Sequence, residues 1–260
     1  MMKKWINSVI WLVVISGIIY LILWTNLLRM NTNSQELIVD IKRTDYPSLI
    51  SEEEVKTNIL KEIPAVIGAS AKNIKLEKIE EQINYNTQLT NVKAFLDIGG
   101  DIHIKANPRR AVLRIFDKNG SPAYLGEDMI LMDNSLSRSH RILVANGDIP
   151  HLNSEQRRKV LMKEEDLPMT YHLLYELTNI IEKDEFLNTL INQIYIKKNQ
   201  KAILTPKLGV KKIEFGKLEN MEEKLFNLKA FYLHGSKKID WQKYSAINIE
   251  YENQIVCSKK

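Results

Sequence analysis

The sequence contains one cysteine, Cys257, which excludes an internal disulfide framework and a multi-cysteine zinc site. It contains no HExxH, GxSxG, SxxK or Walker loop, so the common hydrolase, zinc-protease and nucleotide-binding chemistries lack their local signatures. Its five histidines are His103, His140, His151, His172 and His234, and no two stand four apart. A helical zinc pair needs that spacing, so they read as isolated surface histidines and no metal ligand is assigned. Acidic residues are absent from the first 29 positions, which hold Lys3, Lys4 and Arg29. Taking those three from the 37 basic residues leaves 34 against 32 acidic ones, so the net charge of +5 is mostly local. A nucleic-acid binder working through a broad basic surface is therefore not indicated. What remains is an ordinary globular composition, 44% hydrophobic and 27% charged over 260 residues, room for one large domain or two small ones.

The longest apolar run is residues 5–24, WINSVIWLVVISGIIYLILW, in which 16 of 20 residues are apolar or aromatic. No charge occurs from Trp5 to Leu28, and Trp5 and Trp24 stand at the two ends. A bilayer-spanning helix needs about 20 such residues, with indole rings at the headgroups. A cleaved signal peptide would have a shorter apolar core and a small-x-small site, which Trp24–Arg29 does not offer. The expectation is a cytoplasmic tail over 1–4, a transmembrane helix over 5–28 and a linker over 29–36. Lys3 and Lys4 against Arg29 place the N-terminus in the cytoplasm and the main domain in the periplasm.

Beyond the linker, Leu37–Ile41 is a β-branched run that predicts a strand. Ser51-Glu52-Glu53-Glu54 has the form of a capping box, flanked by Ile50 and Val55 as a hydrophobic staple. Val55, Ile59 and Ile63 follow at a spacing of four, which predicts a helix over 52–62 ended by Pro64. Leu76, Ile79 and Ile83 align on a second helix over 76–84. Residues 92–98 and 101–106 read as strands joined at Gly99-Gly100 by a two-residue turn. The order β-α-α-β-β makes a small domain over 37–107.

From 108 to 257 the pattern is a mixed β domain with flanking helices. Strands are expected at Ala111–Phe116, Ala123–Leu125, Arg141–Ala145, Ile191–Ile196, Ala202–Leu204 and Lys211–Phe215. Helices are expected at 155–165, at 169–183 with Asp166 as cap, and at 220–234 with Gly235 after its end. A long closing strand carries Ile247, Ile249, Tyr251, Ile255 and Cys257 on one parity, interrupted by Asn253. The fold class is thus α+β. Glu164-Glu165-Asp166 reads as a cap plus solvated charge, and Arg109-Arg110 and Arg138–Arg141 as ordinary basic pairs of half-exposed strands. No catalytic residue and no cofactor is assigned.

One span, a β-α-α-β-β module and a mixed β domain, in that order, resemble the bacterial cell-division family FtsQ, also called DivIB. The small domain looks like a POTRA module. Gly100–Ile115 is similar to the family's passage into the β domain, with Arg109, Val112-Leu113 and Arg114 as its arginine, apolar pair and second arginine. Where many relatives have proline two residues after the first arginine this chain has Ala111, and its Pro108 stands just before. Tyr124, Gly126 and Met129, the segment Arg141–Gly147, and the closing stretch from Trp241 to Cys257 also resemble the family.

The resemblance implies a non-enzymatic scaffold of the divisome at the inner membrane. Its partners would be FtsB- and FtsL-like division proteins and, through them, the FtsW/FtsI-like septal peptidoglycan synthase. It implies partner binding by strand addition at Ile247, Ile249, Tyr251, Asn253 and Ile255. The same alternation also describes a terminal strand packed wholly in the core, so Tyr251 has two readings. A membrane-anchored cell-wall enzyme and a POTRA-bearing transport or assembly factor are the alternative functions. The first should show paired carboxylates or an activated nucleophile in a cleft, the second several POTRA repeats or a barrel pattern.

Overall fold

A computed structural model describes residues 2–30, 34, 36–46, 48–70, 73–97, 99–133, 142–235, 240–251 and 254–260. The chain forms two compact units, Met1–Pro108 and Arg109–Lys260. Within the first, Met2–Met30 is helix α1. Among the described residues no helix is long and apolar enough to cross a membrane. This finding corrects the expected transmembrane helix over 5–28. It likewise corrects the single-pass inner-membrane localisation with a periplasmic domain.

The rest of the first unit follows its sequence pattern closely. Its elements are β1 (Leu37–Ile41), α2 (Glu52–Glu62), α3 (Leu76–Asn84), β2 (Leu89–Leu96) and β3 (Ile102–Pro108). The capping box is present: the Glu54 amide donates to Ser51 Oγ at 3.2 Å, and the Ser51 amide donates to the Glu54 carboxylate at 2.8 Å. Two N-terminal amides that the helix cannot satisfy itself are thereby paired. Val55 and Ile59 of α2 and Ile79 and Ile83 of α3 are buried against Leu37, Ile102, Ile104 and Ala106 of the sheet. The strand order is β1-β3-β2, with β1 parallel and β2 antiparallel to β3. The β2–β3 turn is longer than expected. Asp97 and Asp101 close it, the Asp97 amide donating to the Asp101 carbonyl at 3.0 Å, and Gly100 takes the positive φ of 93°.

The second unit is built on one sheet of order β12-β11-β10-β9-β8-β7-β4-β5-β6. Its strands are β4 (Ala111–Phe116), β5 (Pro122–Gly126), β6 (Leu131–Asp133), β7 (Leu143–Gly147), β8 (Ile191–Ile196), β9 (Lys201–Pro206), β10 (Lys212–Lys217), β11 (Tyr244–Asn248) and β12 (Val256–Lys259). Its helices are α4 (Ser154–Leu161), α5 (Met169–Lys183), α6 (Glu185–Leu190) and α7 (Met221–Ala230). Leu113, Ile115, Ala145, Ile194, Leu204 and Ile213 of the strands share one core with Leu174, Leu177, Ile181, Leu225 and Leu228 of the helices.

Local chemistry moves several boundaries. Asp166 does not cap α5. The helix starts behind Pro168, which has no side-chain cap, and the Tyr171 amide donates to the Pro168 carbonyl at 2.8 Å. The helix expected over 220–234 passes at Phe231 into a π turn ending at Gly235. Short α6 and β6 were not legible as separate elements. The long closing strand is two strands: β11 ends at Asn248, and the chain returns antiparallel as β12. Arg138–Arg141, with the expected strand start at Arg141, lies outside the described residues.

Candidate partner-binding edge

β11 enters the sheet parallel to β10, with Ala246 opposite Lys212, Ile247 opposite Ile213 and Asn248 opposite Glu214. This register sends the Ile247 side chain into the core, where it is fully buried. The Ile249 amide still donates to the Glu214 carbonyl at 2.9 Å, and Ile249 is buried too. The ladder then stops. The Glu250 amide turns back to Asn248 Oδ1 at 2.8 Å, an Asx turn that takes the backbone off the strand path.

Gly216 makes room for this departure. It stands at a β10 bulge with φ of 77°, and a Cβ there would lie 2.8 Å from Glu250 Cβ and 2.4 Å from Glu250 Cγ. Glu250 thus lies across the glycine and reaches Lys201 Nζ at 2.6 Å. That contact holds the lysine's pKa above its ordinary value.

Tyr251 follows, 55% exposed. Of the sequence-assigned site residues, Ile247 and Ile249 lie in the core, Tyr251 is exposed and Ile255 is partly buried. Asn253 lies outside the described residues. Tyr251 and Ile255 meet Asn220, Lys224 and Asn227 in a cleft beside α7, with Ile249 at its floor. Sequence reasoning missed these α7 residues, because a polar helix face gives no sign of what crosses it. Lys224 donates to the Lys217 carbonyl at 2.8 Å and lies 5.0 Å over the Phe215 ring. Burial lowers its pKa.

β12 forms the outer strand beyond this cleft, and Val256, Ser258 and Lys259 are exposed along it. Cys257 is half-buried, and burial pushes its thiol pKa up, the behaviour of a packing residue rather than a reactive one. Tyr232 packs behind β11, its ring stacked on Trp241 at 5.2 Å and its hydroxyl donating to the Leu208 carbonyl at 3.1 Å. Burial pushes its pKa up to about 12. Among the described residues no group of three or more His, Cys, Asp or Glu is placed to hold a metal ion. His103 and His151 instead each pair with one aspartate, Asp97 and Asp117.

A family model described as FtsQ/DivIB, C-terminal related, matches residues 110–258, nearly the whole of the second unit. The chain belongs to the FtsQ/DivIB-related family. FtsQ/DivIB proteins are a family of cell-division proteins. The chain is also similar to translation initiation factor IF-2 of Mycoplasma capricolum subsp. capricolum, 25% identical over an alignment of 182 positions that covers 63% of this chain and 27% of that protein. It spans about a quarter of the length of this curated relative, and that similarity carries no function across. The FtsQ/DivIB match, by contrast, takes in the cleft at Tyr251 and the β12 edge.

Proposed function

We propose that the chain is a non-enzymatic scaffold of the division machinery whose outer strand β12 captures an extended partner segment. The partners are FtsB- and FtsL-like division proteins, which the scaffold links to an FtsW/FtsI-like septal synthase. The observation that carries the reading is the edge itself. β12 closes the sheet on that side with an exposed outer strand, and Tyr251 stands half-exposed where β11 gives way to it. Backbone groups of an outer strand bind an added strand without further chemistry. A tyrosine beside them adds a large amphipathic contact. On this reading Tyr251 and Ile255 meet the partner, Asn253 lies between them in sequence, and Ile247 and Ile249 hold the strand from the core side. The β-α-α-β-β order of the first unit, with β3 between β1 and β2, supports reading residues 37–107 as a POTRA module.

Capture of purified FtsB- and FtsL-like proteins by the full chain tests the proposal. Tyr251→Ala should weaken capture by about 2 kcal/mol, the scale of an interface hot spot, with an unchanged melting temperature. Undiminished capture refutes the assignment of Tyr251. Failure of the wild-type chain to capture either protein refutes the scaffold reading itself.

A further inference from the structure

We infer that Glu80 latches the outer edge of β2 and keeps a second copy of this chain from adding there as a strand. In the β2–β3 ladder the Asp97 amide donates to the Asp101 carbonyl at 3.0 Å, Phe95 stands opposite His103 and Lys93 opposite Lys105. Antiparallel ladders alternate, so the backbone groups of Lys93 and Phe95 face β3 and those of Ala94 face away. β2 is an outer strand of its sheet, and the outward Ala94 amide donates instead to Glu80 Oε1 of α3, at 2.7 Å.

The opposite edge carries the same device. The Ile102 amide donates to the Glu36 carbonyl and the Lys42 amide to the Ala106 carbonyl, both at 2.9 Å. In this parallel pair the even-numbered residues of β1 therefore face β3 and Ile41 faces outward. The Ile41 amide donates to Glu52 Oε1 of α2 at 3.3 Å. Each outer strand of the first unit thus has an outward donor taken by a glutamate from a helix. An edge amide in water needs no such acceptor. A carboxylate there occupies the donor and sets a negative charge where an incoming strand would bring its carbonyl.

The β2 edge has reason to be closed, because it is self-complementary. Two copies paired antiparallel about Ala94 would exchange both Ala94 hydrogen bonds, the two-fold arrangement of a closed dimer. Phe95 of one copy would then stand opposite Lys93 of the other. The lone chain already makes a contact of that type, with Lys105 Nζ 5.5 Å from the Phe95 ring centre, and Phe95 is 39% exposed.

The test uses the full chain and reads amide hydrogen exchange at Ala94 together with sedimentation velocity. In dilute Glu80→Ala the Ala94 amide should exchange roughly tenfold faster than in wild type, the scale of one hydrogen bond to a charged group. With rising concentration that variant should gain mass beyond any gain of the wild type. Adding Ala94→Pro removes only an outward donor, which an outer strand tolerates, and should abolish the gain. Glu80→Gln keeps an acceptor oxygen and should keep Ala94 protected. Equal exchange in wild type and Glu80→Ala, loss of protection in Glu80→Gln, no added mass in Glu80→Ala, or added mass that survives Ala94→Pro each overturns the latch.

Discussion

His151 Nδ1 lies 2.7 Å from Asp117 Oδ2, and the other oxygen of that carboxylate accepts from the Asn119 and Ser121 amides at 2.8 and 3.0 Å. One buried side chain therefore shapes the β4–β5 turn and ties it to the segment entering α4. The Lys118 amide completes the tie by donating to the Ile149 carbonyl at 2.9 Å. Burial alone would raise the pKa of Asp117. The hydrogen bond to His151 and the two turn amides outweigh it and hold the carboxyl below its usual range.

A group with a lowered folded-state pKa stabilises above its unfolded value, near 3.9 for aspartate, and loses that contribution as pH falls through the folded value. The second unit should accordingly lose stability on acidification below about pH 4. Asp117→Ala leaves turn amides without an acceptor and should cost roughly 1–3 kcal/mol at neutral pH. Urea melts taken downward from pH 7 should show the gap between the two proteins narrowing as pH falls below about 4. A gap that stays constant with pH would exclude Asp117 as the titrating group.

Ile247 and Tyr251 should separate cleanly. Ile247 is fully buried, so Ile247→Ala removes packed methylenes and should destabilise by about 2–5 kcal/mol. Tyr251, 55% exposed, should change stability by less than about 1 kcal/mol when truncated. Denaturant midpoints of the two variants check this, and similar losses would mean that Tyr251 is a packing residue.

Gly216→Ala should be among the most damaging small changes in the second unit. Its φ of 77° disfavours any side chain, and the new Cβ would overlap Glu250. The expected cost is about 1–3 kcal/mol, accompanied by loss of the Lys201–Glu250 contact and displacement of the neighbouring Tyr251. A thermal melt matching wild type would show that Glu250 can move aside freely.

Val55→Asp or Ile59→Asp should abolish cooperative folding of the first unit. Each places a carboxylate among the buried apolar side chains of Leu37, Ile102 and Ile104. Hydrogen exchange across β1–β3 reads this directly, because protection there should collapse while β8 and β9 stay protected.

Legibility in the sequence tracked how local each cause is. Ser51–Glu54 and the Val55, Ile59 spacing fixed α2 to the residue, because cap and core face lie within one turn of each other. Leu76, Ile79 and Ile83 did the same for α3. Alternation over 247–257 misled, because it cannot register an Asx turn at Asn248 or a glycine 32 positions earlier that admits Glu250. The cleft at Tyr251 was only half legible for the same reason, since Asn220, Lys224 and Asn227 reach it through tertiary packing. The 5–24 run is the converse case: a tryptophan-flanked apolar run is visible in a string of letters, yet among the described residues no helix is long and apolar enough to cross a membrane.

The parallel pairing of β7 with β8, in which Val144 meets Gln193, has a kinetic consequence. Everything from α4 to α6 must be threaded between the two strands before they meet at the middle of the sheet. Their closure is entropically costly and its return is delayed, the hallmark of a slow step in assembly. A nascent chain that has released β4 and β5 from the ribosome but not yet β8 therefore holds an unpaired strand edge for as long as translation of that interval takes. During synthesis the vulnerable edge is β7, in the centre of the finished sheet, and this is the point at which chaperone supply would set the yield of folded protein.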